Sequence, residues 1–80
     1  MEYMVLLQES EQLEQRVIEE LVRIRKEQGY TQEDIAQMLN CPQQSISRLE
    51  RQVHSPLLRV FCQVVVNLGY TLELKPKDLS

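Results

Sequence analysis

The sequence has little of what builds catalytic centres or disulfide-stabilised folds. It contains two separate cysteines, Cys41 and Cys62, and His54 is its one histidine. A disulfide scaffold of this length carries more cysteines, so we expect structural or incidental thiols in a reducing cytoplasm. No nucleophile–base constellation, metal-ligand cluster or glycine-rich phosphate loop is present. The sequence therefore predicts no enzyme, no catalytic residue, no metal and no other cofactor.

Glycine, proline and long apolar runs are scarce as well. There are two glycines, three prolines and no tryptophan, which favours helices with an aliphatic core. No apolar run approaches the roughly 20 residues of a membrane-spanning helix. The N-terminal apolar stretch lacks the basic start and the cleavage site of a signal peptide. With 42% hydrophobic and 26% charged residues, the chain is predicted to be one small globular domain without a membrane partner.

Charge is unevenly distributed along the chain. The net charge is −3, yet residues 1–20 hold six glutamates against Arg16 alone. Residues 21–60 hold six basic residues against four acidic ones. An acidic N-terminal segment, the acidic head, thus precedes a mildly basic middle segment. Such asymmetry indicates that each segment can bind a partner of opposite charge, which the net charge of the whole chain does not reveal.

Helical spacing and capping residues predict the first two helices. Ser10 is a plausible N-cap for a long helix that ends near Gln28–Gly29, with Gly29 as a left-handed C-cap. Thr31 then caps a second helix, and Asp34 stands at the third position of a capping box.

Two further helices are predicted after a sharp turn. Asn40 tolerates a positive φ, and Pro42 suits the start of a third helix. Ser55–Pro56 is predicted to open a fourth helix that Gly69 ends.

The residues after Gly69 change period. Tyr70, Leu72 and Leu74 alternate with polar residues until Pro76, which is a half-buried strand pattern. A lone strand needs a partner, either the segment at 3–7 or the same strand of a second subunit. We favour pairing across a dimer, since two-fold dimers are the commonest assembly, over a tail that folds back onto its own domain.

The third helix carries a continuous polar face opposite Ile46 and Leu49. Such a face is often merely solvated. It also suits the major groove of DNA, where glutamine pairs with adenine and arginine with guanine or phosphate. We expect Gln32, at the start of the second helix, to meet a backbone phosphate. The candidate DNA-binding residues are Gln32, Gln43, Gln44, Ser45, Ser47, Arg48 and Arg51.

Residues 30–50, "YTQEDIAQMLNCPQQSISRLE", resemble the helix-turn-helix of the Cro/repressor (XRE-type) family. The likeness extends over roughly residues 18–69, with Asn40 in place of the usual turn glycine and Gln52 where a glycine usually ends the recognition helix. The elements that match this helix-turn-helix are Thr31–Gln32, Ala36, Asn40–Cys41 and Ile46–Glu50. The segment "LGYTLELKP" further resembles the ends of HigA-like and HipB-like antitoxins, which are XRE-type proteins.

The resemblance implies an all-α, four- to five-helix repressor-type domain with a short C-terminal β-strand. Residues 10–69 form the DNA-binding domain, residues 1–9 are of open structure, and residues 70–80 dimerise through Tyr70, Leu72 and Leu74. It implies a homodimer that binds double-stranded DNA, represses its own operon and, if it is an antitoxin, holds a toxin. The acidic head is then either a toxin-binding arm or an extended helix covering the core. The alternative is a protein-interaction module whose helix-turn-helix binds another protein.

Overall fold

The computed structural model describes residues 2–77, and within them the chain is helical. None of these helices has the length and apolar character to cross a membrane. Residues 70–77, here called the tail, follow the last helix. In chain order the four helices of the described residues are α1 (Tyr3–Glu27), α2 (Gln32–Met38), α3 (Gln43–Arg51) and α4 (Leu58–Asn67).

Helix α1 begins earlier than its sequence predicts. It starts at Tyr3, and Ser10 lies inside it, with its hydroxyl donating to the Leu7 carbonyl oxygen at 2.8 Å. Ser10 is therefore not an N-cap, because a serine within a helix can bond to the preceding turn instead. The predicted end is confirmed, with Gly29 at a φ of 81°. A positive φ suits glycine, which has no Cβ to clash.

The predicted capping box of α2 is confirmed. The backbone N–H of Asp34 donates to the Thr31 hydroxyl at 3.0 Å, and the backbone N–H of Thr31 donates to the Asp34 carboxylate at 2.8 Å. The backbone N–H of Thr31, and after it the Thr31 hydroxyl, interact with the Asp34 carboxyl and lower its pKa below the ordinary 3.8. Because the folded-state pKa is lowered, this stabilisation is present above pH 3.8 and is lost as pH falls through the lowered value.

The turn between α2 and α3 follows from Asn40 and Pro42. Asn40 has a φ of 56°, and the N–H of Cys41 bonds to the Ala36 carbonyl at 2.9 Å, so the chain reverses within a few residues. Pro42 is the N-cap of α3. At the other end of α3, Gln52 itself adopts the left-handed conformation, with a φ of 58°. Gln52 thus takes a left-handed conformation that a glycine would adopt without a Cβ clash.

The core joins the second half of α1 to the other three helices. Ile18, Ile35 and Ile46, from three different helices, are each at most 1% exposed. Ala36 is small, which lets α2 and α3 approach closely. Around these lie the remaining buried apolar residues: Leu21, Ile24, Leu49, Phe61, Val64, Val65 and Leu68.

Helix α4 begins at Leu58, two residues after the predicted Ser55–Pro56 start, because Leu57 is still extended and serves as its N-cap. The helix ends at its Leu68 C-cap, before Gly69 as predicted. The side-chain amide of Gln28 donates to the Leu68 carbonyl oxygen at 2.8 Å, which ties the end of α4 to the end of α1.

The predicted C-terminal strand is wrong: Tyr70, Leu72 and Leu74 lie in a tail that forms no strand within the described residues. One tail end follows the Gln28–Leu68 contact, and at the other Lys77 bonds to Glu9 at 2.7 Å. Since Glu9 precedes Gln28 along α1 whereas Lys77 follows Leu68 in the chain, the tail runs antiparallel to α1.

The missing strand has a simple physical cause. A ladder needs a neighbour with free backbone N–H and C=O groups. The proposed partner at residues 3–7 is part of α1, whose backbone groups bond within the helix. The alternating pattern of the tail is therefore not accompanied by a sheet among residues 2–77.

We predict that Thr31→Ala lowers the free energy of unfolding by about 0.5–2 kcal/mol, because it removes the acceptor for one N-terminal amide of α2. Urea denaturation followed by circular dichroism measures the change. Thr71→Ala, an exposed threonine of the tail, is the matched control. Equal unfolding midpoints for the two variants would contradict a stabilising cap.

Candidate nucleic-acid interface

One edge of α3 faces solvent while the opposite face is buried. Ile46 and Leu49 are 1% and 4% exposed and point into the core. Four residues at helical spacing make up the outer side, and we call them the α3 edge. They are Gln43, Gln44, Arg48 and Arg51, all exposed.

The N-terminal turn of α3 forms one end of the α3 edge. Pro42 is extended, with a ψ of 145°, and caps the helix without a side-chain hydrogen bond. Gln43 and Gln44 therefore stand at the first turn, beside backbone amides that carry the positive end of the helix dipole. Within residues 2–77 their side chains form no hydrogen bond. Both amides are free to donate and accept toward a ligand.

The two serines of α3 are less accessible than the edge. Ser45 and Ser47 are each half-buried. The Ser47 carbonyl oxygen accepts a long hydrogen bond, 3.4 Å, from Nε of Arg51. Arg51 thus rests along the helix by a weak contact that costs little to release.

An ion pair fastens α3 to α1. Nε and Nη2 of Arg25 donate to the two carboxylate oxygens of Glu50, at 2.6 and 2.8 Å. Nη1 of Arg25 donates to the carbonyl oxygen of Tyr30 at 2.7 Å. The two side chains are only 9% and 10% exposed. This forked geometry gives strong, directional bonds and fixes how α3 lies against α1.

Gln32 belongs to the same network. Its side-chain amide donates to Oε1 of Glu50 at 2.9 Å, and the residue is half-buried. The structure therefore places Gln32 at the last turn of α3, away from Gln43 and Gln44 at the first. An amide nitrogen has two hydrogens. One is held by Glu50, and the second is available to another acceptor.

The ion pair also sets the charge of the α3 edge. Glu50 is the sole acid of α3, and it turns inward to Arg25. The outward side of the helix then carries two arginines and two glutamines without a neighbouring carboxylate of the same helix. A chain with a net charge of −3 thus presents a cationic, amide-bearing edge.

Glu50 is thus a structural acid, paired with a base of another helix. Arg25 pairs across helices and not along the surface of α1. Arg23 does pair on the surface, with Glu20 and Glu27. The signal for Arg25 was its spacing, since it falls on the apolar stripe of Ile18 and Leu21 where a charge requires a buried partner.

The other candidate residues lie apart from the α3 edge. Tyr70, Leu72 and Leu74, the predicted dimerisation residues, are exposed on the tail, at 50%, 48% and 103%. Cys41 and Cys62 are free, half-buried thiols. Among residues 2–77, no three His, Cys, Asp or Glu side chains are grouped to hold a metal ion.

Two short helices joined by a tight turn, the second with an exposed polar edge, define a helix-turn-helix protein. The family model described as helix-turn-helix matches residues 21–75, so the chain belongs to this family. A solved structure titled "Toxin-Antitoxin module from Streptococcus pneumoniae" is similar, with a TM-score of 0.69 and 27% sequence identity. The match covers 98% of this chain and 84% of that chain. No curated protein sequence matches.

We predict that Glu50→Ala destabilises the domain by about 3–5 kcal/mol, because Arg25 is left buried without its counter-ion. Urea denaturation measures the loss. Glu27→Ala, which removes an exposed partner of Arg23, is the control and leaves the midpoint nearly unchanged because solvent screens that pair.

Since Glu50→Ala can prevent folding altogether, the double variant Arg25→Met, Glu50→Leu completes the test. It regains most of the stability, because apolar residues of similar size replace a buried ion pair at little cost. A Glu50→Ala variant as stable as Glu27→Ala would show that the pair does not hold α3 to α1.

Proposed function

We propose that the protein is a sequence-specific DNA-binding transcriptional repressor that acts as a homodimer and regulates its own operon as the antitoxin of a toxin–antitoxin pair. One observation carries the DNA-binding part: the α3 edge is exposed, rich in amides and arginines, and cleared of its acid by the Arg25–Glu50 pair. Membership of the helix-turn-helix family supports the same function.

Sequence readout is assigned to the first turns of α3. The major groove of B-DNA is about 12 Å wide and admits one α-helix. Gln43 and Gln44 enter first, and a glutamine amide pairs with N6 and N7 of adenine. Arg48, one turn further on, reaches a guanine or a phosphate. Ser45 and Ser47 are half-buried beside the α3 edge. They either contact the phosphate backbone of the DNA or pack beneath the α3 edge.

Phosphate contacts are assigned to Gln32 and Arg51, at the opposite end of the α2–α3 pair. Gln32 is held by Glu50 and offers its second amide hydrogen to a phosphate oxygen. Arg51 exchanges its weak bond to the Ser47 carbonyl for a charge-assisted one. Such contacts fix position on the duplex and carry no sequence information.

A two-fold dimer places two α3 helices in successive major grooves, about 34 Å apart, on a near-palindromic operator. We assign the dimer contact to Tyr70, Leu72 and Leu74. They are large, exposed apolar side chains of the tail, and their burial against a second copy removes apolar surface from water.

The antitoxin role has its support in the likeness to the toxin–antitoxin module over 98% of this chain. Copurification with the product of the neighbouring gene separates an antitoxin from a plain repressor. The competing function, a helix-turn-helix that binds only another protein, predicts no salt-dependent affinity for DNA.

The test is titration of the full chain onto DNA from upstream of its own gene at several salt concentrations. We predict that Gln44→Ala costs about 1–3 kcal/mol on the preferred site and relaxes its sequence preference. Gln8→Ala, at an exposed glutamine of α1, is the control and leaves binding unchanged. If Gln44→Ala bound the preferred site as tightly as Gln8→Ala, base reading by Gln44 would be refuted.

For Arg51→Ala we predict weaker binding to all sequences alike, with the slope of log affinity against log salt reduced by about one, since one phosphate contact is lost. Arg16→Ala, which removes an exposed arginine from α1, keeps the wild-type slope. A change in sequence preference without a change in slope would reassign Arg51 from phosphate to base contact.

A further inference from the structure

Helix α4 carries an apolar stripe on the side that does not face the core. Leu58, Cys62 and Val66 follow one another at intervals of four residues, which places them along one side of the helix. Leu58 and Val66 are 72% and 70% exposed, and Cys62 between them is half-buried. We call these three residues the α4 stripe. Contiguous exposed apolar surface of this kind marks an interaction site.

A groove of about 410 Å³ lies beside the α4 stripe. It runs between Leu39, which is the C-cap of α2, and the outer side of α4. Cys62 and Val66 belong to both the groove and the stripe. Among residues 2–77, no member of the α3 edge lines this groove. Its occupation therefore does not itself cover the α3 edge.

Large exposed apolar side chains continue the α4 stripe at both ends of the helix. Leu57, the N-cap, is 75% exposed, and Tyr70 is 50% exposed. The backbone N–H of Tyr70 donates to the Val65 carbonyl oxygen at 3.0 Å, which holds Tyr70 against the last turn of α4. Helix α4 is about 15 Å long, too short to supply alone the roughly 800 Å² per partner of a stable interface. Tyr70 belongs to the proposed dimer contact, so the stripe and that contact adjoin.

Charge determines which occupant fits this surface. Residues 52–70 contain a single charged residue, Arg59, with His54 counted as neutral. At the chain average of 26% charged residues, a stretch of this length would contain about five. A nucleic-acid backbone is bound through several cations, and a strongly charged protein would find few groups to pair with. Two copies of this surface, by contrast, bring few like charges together, and like charges across an interface are repulsive.

A stripe that pairs with its own copy has a defined register. In a two-fold contact, residue i of one copy meets residue j of the other, and j meets i. Three equally spaced positions satisfy this condition when the axis passes beside the middle one. Leu58 of each copy then lies opposite Val66 of the other, and the two copies of Cys62 face each other.

We infer that the α4 stripe and its groove form the central contact of the homodimer, with α4 of a second copy packed antiparallel across an axis at Cys62. Leu58 of each copy enters the groove of the other, between Leu39 and Val66. The inference rests on the homodimer part of the proposed function and adds α4 to the tail contact. Because α4 packs on α2, and α2 on α3, this contact holds the two α3 edges at a set spacing.

The first test is the dimer dissociation constant of the full chain, measured by sedimentation equilibrium. Val66→Asp raises it about tenfold or more, because each dimer then buries two charges in an apolar contact. Val5→Asp, the same change at an exposed valine of α1, is the matched control and leaves the constant within about threefold. Val66 is exposed in the single chain, so the variant keeps its unfolding midpoint by circular dichroism and a loss of dimer is not a loss of fold.

A charge pair across the axis tests the register. The double variant Leu58→Lys, Val66→Asp associates more tightly than either single variant, because each lysine faces an aspartate of the second copy. Within one chain the two positions are about 12 Å apart, so pairing inside the chain does not account for the gain. The gain falls as salt rises, because salt screens the opposite charges.

Oxidation tests the position of the axis. Diamide takes up the two hydrogens of a pair of thiols and leaves a disulfide, which requires Cβ atoms roughly 3.5–4.5 Å apart. Cys41→Ser, which retains Cys62, gives a covalent dimer on a denaturing gel without reductant. Cys62→Ser, which retains Cys41, gives none.

The outcomes separate this inference from the proposed function. A dimer that Val66→Asp leaves intact and Leu72→Asp abolishes overturns the inference and leaves the homodimer with its tail contact. Cross-linking that requires Cys41 instead of Cys62 also overturns it. A Val66→Asp variant that stays dimeric but loses the adjacent gene's product identifies a different protein as the occupant and overturns the inference. A wild-type chain that is monomeric both free and on its operator overturns the inference together with the homodimer of the proposed function.

Discussion

The buried ion pair between Arg25 and Glu50 is the contact on which the candidate interface depends. It joins α1 to the last turn of α3, anchors the loop at Tyr30 and holds the amide of Gln32. Hydrophobic packing of Ile46 and Leu49 sets the depth of α3 in the core, but packing alone permits sliding and rotation. Forked, short hydrogen bonds remove that freedom. The same pair removes the only carboxylate of α3 from its outer side, so one interaction gives the helix both its orientation and its surface charge.

Local signals predicted much of the fold because each has a strict stereochemical cause. Thr31 with Asp34 could satisfy the first amides of α2, and Gly29 and Asn40 could take a positive φ, so the ends of these helices followed from single residues. The start of α1 was misplaced because Ser10 is compatible with both an N-cap and a helix interior. The strand at 70–75 failed for a different reason: alternation describes one chain segment, while a ladder depends on a neighbour that the segment does not encode.

The candidate interface was predictable to a similar extent. The period of Ile46 and Leu49 fixed which side of α3 faces outward, so the exposure of Gln43, Gln44 and Arg48 followed. The partner of Glu50 could not be predicted in this way. Arg25 lies 25 residues away in sequence, and its position depends on how α1 crosses α3. Gln32 was placed at the start of α2 correctly, yet its bond to Glu50 depends on the same crossing.

Helix α1 runs from Tyr3 to Glu27 without a glycine or a proline. It is therefore one continuous helix, with the unburied residues 3–16 at one end and Arg25 at the other. Anything bound at the free end is held at a set angle to the four-helix core. Such a group projects in a constant direction from the core, as it would not on a flexible tether.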